Sequence, residues 1–332
     1  MLDRYGRVIN YLRISVTDRC NLRCCYCMPE GVQDVGLKNI LTFEEIWEIV
    51  RTGVSLGITH IRITGGEPLV RKGCVDLIRG IREIPGVETI TMTTNGVLLG
   101  NYGKQLKKAG VDGVNISLDT LDPEEFYKIT GKRELQEVLA GIRAAKTAGL
   151  PVKLNAVNRK ELDPIPLVRY AQEENLPLRF IEMMPVGYGK KYVGRSNEEL
   201  RETLEAVCGK AECMTNREEL SRMGSGPAVY YQFSDLKVPV GFISAIHGKF
   251  CDTCNRVRLT AEGYLKLCLC YDEGEDLRRV LREGEKENLR TIMEQTIFRK
   301  PAAHCFEHPA EMTETHEMDR VDTIERNSFG SN

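Results

Sequence analysis

Arg19-Cys20-Asn21-Leu22-Arg23-Cys24-Cys25-Tyr26-Cys27-Met28-Pro29 sets Cys20, Cys24 and Cys27 at C-x3-C-x2-C spacing. Three thiolates can hold three irons of a cubane [4Fe–4S] cluster, which leaves the fourth iron without a protein ligand. The competing reading is a zinc knot or a set of buried free thiols. Zinc wants a fourth protein ligand and tetrahedral closure, and no His or Cys close behind Cys27 supplies one locally. Cys25, inside the motif, reads as a bystander.

Upstream of the cysteines lies a β-rich run, Leu12–Val16, and downstream the chain alternates between two periods. Further β-rich runs are Ile58–Ile63, Thr89–Thr93, Gly113–Leu118, Val152–Val157 and Leu178–Met183. Between them lie helical stripes at Phe43–Leu56, Val75–Ile84, Leu98–Ala109, Leu135–Ala148 and Pro164–Glu174. Gly57, Gly110 and Gly149 stand where C-cap glycines stand, and Asp122-Pro123 is a helix start. Six β-α units in a row imply a parallel sheet with right-handed crossovers, curled into a partial (β/α)6 barrel. In such folds reactive groups collect at strand C-terminal ends. The cysteine loop, Gly65-Gly66-Glu67-Pro68, Thr93-Thr94-Asn95-Gly96, Ser117-Leu118-Asp119 and Glu182-Met183-Met184 all fall there, while Lys153 and Asn155 lie within strand five.

The chain of 332 residues carries 46 basic and 48 acidic side chains. That balance offers no electrostatic reason to propose nucleic acid or an anionic membrane. The N-terminus has no apolar signal core, and no run of about 18 apolar residues occurs. A cytoplasmic location is expected, where twelve cysteines read as metal or redox chemistry rather than disulfides.

After Pro185 the rhythm breaks. We expect residues 1–185 to form the barrel and 186–332 a smaller α+β extension with a polar, mobile tail. The extension reads as a helix at Asn197–Cys208, strands at Ala228–Phe233, Val240–Ala245, Val257–Thr260 and Tyr264–Leu267, then charged helices from Asp276 onward. It holds a second set, Cys251, Cys254 and Cys268, at C-x2-C-x13-C spacing. A turn at Glu262-Gly263 returns Cys268 to the Cys251–Cys254 loop. Spacing alone does not separate iron–sulfur from zinc here, since Cys270 could complete a four-cysteine site.

The first cysteine motif, with an aromatic before its last cysteine, resembles the signature of radical S-adenosylmethionine (SAM) enzymes. Both cysteine sets, Gly65-Gly66-Glu67-Pro68 and Cys251-Asp-Thr-Cys254-Asn255-Arg256-Val257-Arg258-Leu259-Thr260 together resemble the GTP 3′,8-cyclases of molybdenum cofactor biosynthesis over roughly residues 8–310. The resemblance implies two [4Fe–4S] clusters, one binding SAM and one binding substrate. It implies SAM contacts at Tyr26, Gly66, Ser117 and Met184, and GTP contacts at Arg13, Arg62, Thr93, Lys153, Arg256 and Arg258. Guanidinium forks and an ammonium suit a triphosphate, and alternation puts Arg256 and Arg258 on one strand face. The pocket should therefore lie between the two clusters.

The implied reaction cleaves SAM, abstracts the ribose 3′ hydrogen of GTP and joins that carbon to C8. The product is (8S)-3′,8-cyclo-7,8-dihydroguanosine 5′-triphosphate, the first step toward molybdopterin. Arg256 and Arg258 are candidates for proton delivery. A low-potential electron donor and a downstream pyranopterin-forming enzyme are implied partners, and a homodimer is compatible with the sequence. The resemblance implies a Gly-Gly end, whereas this sequence ends Phe-Gly-Ser-Asn; if Glu317-Met318-Asp319-Arg320-Val321 matches the family's pre-tail segment, Asp322 and Thr323 stand where the glycines belong. Glycine allows close backbone approach and aspartate adds charge, so impaired turnover is one alternative. Others are a radical SAM enzyme acting on another substrate, and a non-catalytic iron–sulfur or zinc protein.

Overall fold

Strand β1 (Tyr11–Ser15) is the pivot of the sheet: it pairs in parallel with β2 (His60–Thr64) on one side and with β10 (Arg256–Leu259) on the other. The computed structural model describes residues 1–31, 36–192, 194–224, 226–284 and 286–306. Asp322 and Thr323, and the tail that holds them, lie outside the described residues. From β2 the sheet continues in parallel through β3 (Thr89–Thr94), β4 (Gly113–Ser117), β5 (Val152–Asn158) and β6 (Leu178–Glu182). Helices α1 (Phe43–Ser55), α2 (Cys74–Arg82), α3 (Leu99–Lys108), α4 (Pro123–Thr130), α5 (Leu135–Thr147) and α6 (Ile165–Glu173) make the crossovers. The expected six-stranded parallel barrel is present, with element ends shifted by one or two residues.

The extension adds to both edges of this sheet. Beside β6 come β9 (Val240–Ile243), β8 (Val229–Phe233) and β7 (Ala211–Cys213); beyond β10 come β11 (Tyr264–Lys266) and β12 (Gly274–Asp276). The result is one twelve-stranded sheet among the described residues. Its helices are α7 (Asn197–Cys208), α8 (Arg217–Arg222), α9 (Leu277–Arg282) and α10 (Leu289–Phe298).

Local chemistry explains the boundaries. Thr42 starts α1 with a reciprocal capping box to Glu45, and Ser196 does the same for α7 with Glu199. Asp122 caps α4 with Pro123 in its first turn. Gly57, Gly110 and Gly149 follow their helices at φ +92°, +91° and +72°, a region that only glycine enters without strain.

Alternation along the strands sorts the two faces. Leu12, Ile14, Ile61, Ile63, Ile90, Met92, Ile116 and Leu154 are fully or almost fully buried in one core with the helices, each contributing roughly 1.5–3 kcal/mol. The opposite face, which lines the barrel interior, carries Arg13, Arg62, Thr91, Thr93, Asn115, Lys153, Asn155 and Arg179. A strand interior this polar is not a packing solution; it lines a place for something polar.

Candidate active site

The first cysteine loop leaves the C-terminal end of β1 and is tied to the ends of its neighbours. Gly66 N–H donates to the Thr17 carbonyl at 2.7 Å, and Glu67 N–H to the Arg19 carbonyl at 2.9 Å. A Cβ on Gly66 would stand 2.3 Å from the Arg19 carbonyl oxygen. The glycine is thus needed for contact between its own loop and the cysteine loop, whatever it does for a ligand. Glu67 is fully buried and knots the site together: its carboxylate accepts from Leu69 N–H, Thr94 Oγ1 at 2.8 Å and Asn95 N–H at 2.7 Å. Burial pushes its carboxyl up to about 7 against those three donors.

Asn95 Nδ2 in turn donates to Asn21 Oδ1 at 2.7 Å and approaches Cys20 Sγ at 3.8 Å. Tyr26 reaches across to the end of β4, where its hydroxyl donates to Asp119 Oδ2 at 2.7 Å. Asp119 is held from behind by Val157 N–H at 2.9 Å. Ser117, exposed at the last position of β4, stands in register with Asn155. Cys25 turns away to Arg159, whose Nη1 lies 3.5 Å from its sulfur.

Burial raises the thiols of Cys20, Cys24 and Cys27 above the ordinary cysteine range; Asp119 and the neighbouring sulfurs add to this at Cys24. Three thiolates in such surroundings need a compensating positive charge, which iron supplies. Among the described residues, no three His, Cys, Asp or Glu side chains are arranged to hold a single metal ion. A cubane needs no such convergence, because each ligand binds a different iron.

The second set occupies the opposite end of β1. Asn10 and Tyr11 N–H both donate to the Asn255 carbonyl, so the Cys251–Cys254 turn sits where β1 begins. Gly263, at φ +93°, turns β10 into antiparallel β11, which carries the chain back toward that turn at Cys268. Met184 and Cys268 each pack against a small separate core of Cys270, Cys305 and Phe306. Cys270 and Cys305 place their sulfurs 3.4 Å apart.

Between the two cysteine sets lies a row of cations. Arg258, Arg13 and Arg62 are consecutive register partners across β10, β1 and β2. Arg13 Nε and Thr93 Oγ1 are buried without a hydrogen-bond partner among the described residues. Such orphaned donors in a barrel interior fit a polar ligand. Arg62 Nε donates to Thr91 Oγ1 at 3.2 Å, and Lys153 Nζ to the Met223 carbonyl at 2.5 Å.

Arg62, Lys153, Tyr11, Asn115 and Thr91 line a cavity of about 460 Å³, within the range that holds small-molecule ligands. His60 and Arg179 line it too. This cavity lies toward the strand N-terminal ends, not at the C-terminal edge where the sequence motifs cluster. Arg179 was not foreseen as a site residue. It is buried, with Nε donating to Asn155 Oδ1 at 2.9 Å and Nη2 to Asn115. The signal available was an arginine flanked by Leu178 and Phe180 within a strand, a residue type almost never fully buried unless paired.

A parallel barrel with a three-cysteine loop at one end and a second thiol set at the other defines an iron–sulfur protein of radical SAM type. The Radical SAM superfamily pattern matches residues 14–164, and the Molybdenum Cofactor Synthesis C pattern matches residues 176–306. The chain is 43% identical over 313 residues to the GTP 3′,8-cyclase of Clostridium perfringens strain 13, covering 92% of this chain and 95% of that protein. It is 45% identical over 318 residues to the GTP 3′,8-cyclase of Peptoclostridium acidaminophilum, covering 92% and 94% respectively. The chain belongs to the GTP 3′,8-cyclase family. Among solved structures, it shares its fold with Streptococcus suis SuiB bound to S-adenosylmethionine, at a TM-score of 0.61 and 17% identity over 85% of this chain and 67% of that one. It likewise resembles native anSMEcpe with bound AdoMet, at 0.55 and 14% over 96% and 99%. Among the described residues no helix is long and apolar enough to cross a membrane.

Proposed function

We propose that this protein is a radical SAM lyase that cyclises GTP to (8S)-3′,8-cyclo-7,8-dihydroguanosine 5′-triphosphate, the first step of molybdopterin synthesis. The observation that carries the reading is the in-register row Arg258–Arg13–Arg62 between two cysteine sets. A partly buried row of guanidinium groups suits the triphosphate of a nucleotide better than a peptide or a neutral substrate.

In this reading Cys20, Cys24 and Cys27 hold one [4Fe–4S] cluster and Cys251, Cys254 and Cys268 a second. The first cluster, when bound with SAM, supplies the one-electron chemistry. The protein's own part is placement. Tyr26, Gly66, Ser117 and Met184 frame SAM; Tyr26 is braced by Asp119 and the Gly66 loop by Glu67. Arg13, Arg62, Thr93, Lys153, Arg256 and Arg258 hold GTP, joined by Arg179 and His60 from the cavity wall. Holding the two reacting carbons of one nucleotide in a fixed fold removes the orientational cost of ring closure. The partly buried strand interior, with fewer waters than bulk solvent around it, strengthens each cationic contact. In this reading Arg256 or Arg258 delivers the proton that completes the product. A low-potential electron donor and an enzyme that rearranges the product are the partners this chemistry requires.

The test is an anaerobic assay of protein reconstituted with iron and sulfide and supplied with dithionite, SAM and GTP. Equal formation of 5′-deoxyadenosine and cyclised GTP, read by mass spectrometry, is expected. Deoxyadenosine without cyclised nucleotide would retain the radical SAM chemistry and move the fault to the altered tail or to the substrate.

A further inference from the structure

Arg7 belongs to neither cysteine set nor to the cation row, yet it is 8% exposed, and contacts account for all five of its guanidinium N–H donors. Nε donates to Asp3 Oδ2 at 2.6 Å. Nη1 donates to the carbonyls of Cys251 at 2.9 Å and Ala302 at 2.7 Å. Nη2 donates to the carbonyl of Pro301 at 2.7 Å and, more weakly, to that of Lys300 at 3.5 Å. Asp3 itself is 3% exposed and holds the Tyr5 and Arg7 N–H groups on its second oxygen. One planar fork therefore joins the N-terminal segment, the first residue of the second cysteine set, and the segment after α10.

The same segment carries Lys300, 3% exposed, whose ammonium donates to the carbonyl of Leu267 at 2.5 Å. Leu267 is the residue before Cys268. Cys251 and Cys268 come from opposite ends of the β10–β11 hairpin, and each has a buried cation on the peptide carbonyl of its own or the adjacent residue. The two cations are linked in turn, because Arg7 grips the peptide from which Lys300 projects.

We propose that Arg7 and Lys300 are positioning residues for the second cluster, forming a buried clasp that holds the Cys251 and Cys268 ends of the hairpin in ligating register. The assignment rests on reading the second set as a [4Fe–4S] site. Orientation of ligands by hydrogen-bonded neighbours is what gives metal sites their affinity. Here those neighbours lie at residue 7 and residue 300, outside the hairpin. Lysine at position 7 would keep the charge but not the five-donor fork. Methionine at position 300 would keep the stem and lose the donor.

The experiment uses the reconstituted full-length protein and its R7K and K300M variants. It reads iron and sulfide per chain, the electron paramagnetic resonance signal of the reduced protein, and alkylation of each cysteine by iodoacetamide with peptide mapping. We expect wild type to hold about eight irons and R7K about four, as one cubane is lost. Cys251, Cys254 and Cys268 become alkylated in R7K, while Cys20, Cys24 and Cys27 stay protected and 5′-deoxyadenosine formation falls by less than about threefold. K300M should show the same pattern, with Cys268 the most exposed of the three.

Either variant retaining about eight irons and full protection of the second set would overturn the clasp. Parallel loss of iron from both sets, or failure of both variants to fold, would also overturn it, since the residues would then serve the fold as a whole. A wild-type protein with about four irons and unprotected Cys251, Cys254 and Cys268 would instead refute the second cluster itself, and the clasp with it.

Discussion

Arg13 and Arg258 stand opposite each other in adjacent parallel strands, and Arg62 occupies the same register on the other side of Arg13. Neighbouring strands lie about 4.8 Å apart, so three guanidinium stems leave one face at near-contact spacing. Burial first, then Arg258 and Arg62, hold the Arg13 guanidinium well below the ordinary arginine range; burial and Arg256 also lower that of Arg258. A fold that crowds buried like charges loses stability unless an anion arrives. Arg258→Met should therefore stabilise the ligand-free protein by about 1–3 kcal/mol. The same change should weaken GTP binding about 10- to 100-fold, as a charged hydrogen-bond partner is lost. Thermal melting and calorimetric titration with GTP measure the two effects. A variant that is both less stable and unimpaired in GTP binding would show the row to be structural.

Lys153 gives a pH dependence with a definite sign. Burial, then Arg179 and Arg62, push its ammonium down to about 8 from an ordinary value of 10.5. Between these values the unfolded chain holds more protons than the folded one, so the Lys153 contribution makes stability rise with pH across that window. Binding of a triphosphate runs the other way. GTP affinity should be level below pH 8 and then fall by up to about tenfold per unit as the free protein loses the proton. Lys153→Met should be weaker by about tenfold at pH 7 and should lack the added slope. Titrations of both proteins from pH 7.5 to 9 isolate the lysine from the titration of GTP itself.

How much of this could be read beforehand differs by kind of information. The six β-α units were legible because each is local: a β-rich run, a helical stripe, a glycine cap. The cysteine sets were legible for the same reason. The Arg258–Arg13–Arg62 row was only half legible. Alternation put Arg256 and Arg258 on one face, but their pairing with Arg13 depends on β10 adding to the free edge of β1, nearly 250 positions away in sequence, and no local signal carries that. Strands β7 and β12, at three residues each, are too short to show a period and exist through their partners. Arg179 carried a local signal in its apolar neighbours, but its reach to Asn155 and Asn115 is tertiary. Glu67 was visible within the Gly-Gly-Glu-Pro motif, but its convergence with Thr94 and Asn95 is tertiary.

Glu67 should be intolerant even of its closest analogue. Its two oxygens accept from Leu69 N–H, Thr94 Oγ1 and Asn95 N–H, and there is no solvent to replace them. Glu67→Gln turns one acceptor into a donor facing donors, at a cost of roughly 1–3 kcal/mol. Because Asn95 also contacts Asn21 and Cys20, the damage should pass to the first cysteine loop. We expect a lower melting temperature and slower reconstitution of about four of the irons. Unchanged melting and iron uptake would separate Glu67 from the cysteine loop.

The two cysteine sets should fail in different ways, and that difference tests the division of labour most directly. Cys24 lies in the loop braced by Tyr26–Asp119 and by Glu67 at the C-terminal end of β1, whereas Cys268 lies at the far end, where β10 joins β1. Cys24→Ser should leave about four irons and abolish 5′-deoxyadenosine formation, because the open iron that receives SAM is lost with that set. Cys268→Ser should also leave about four irons. Its effect on products should differ: deoxyadenosine formation persists while cyclised GTP falls below about one hundredth of the wild-type yield, since substrate is no longer held against the reacting centre. Iron analysis with mass spectrometry of both products distinguishes the cases. Deoxyadenosine from Cys24→Ser would overturn the first assignment, and normal cyclised product from Cys268→Ser would overturn the second.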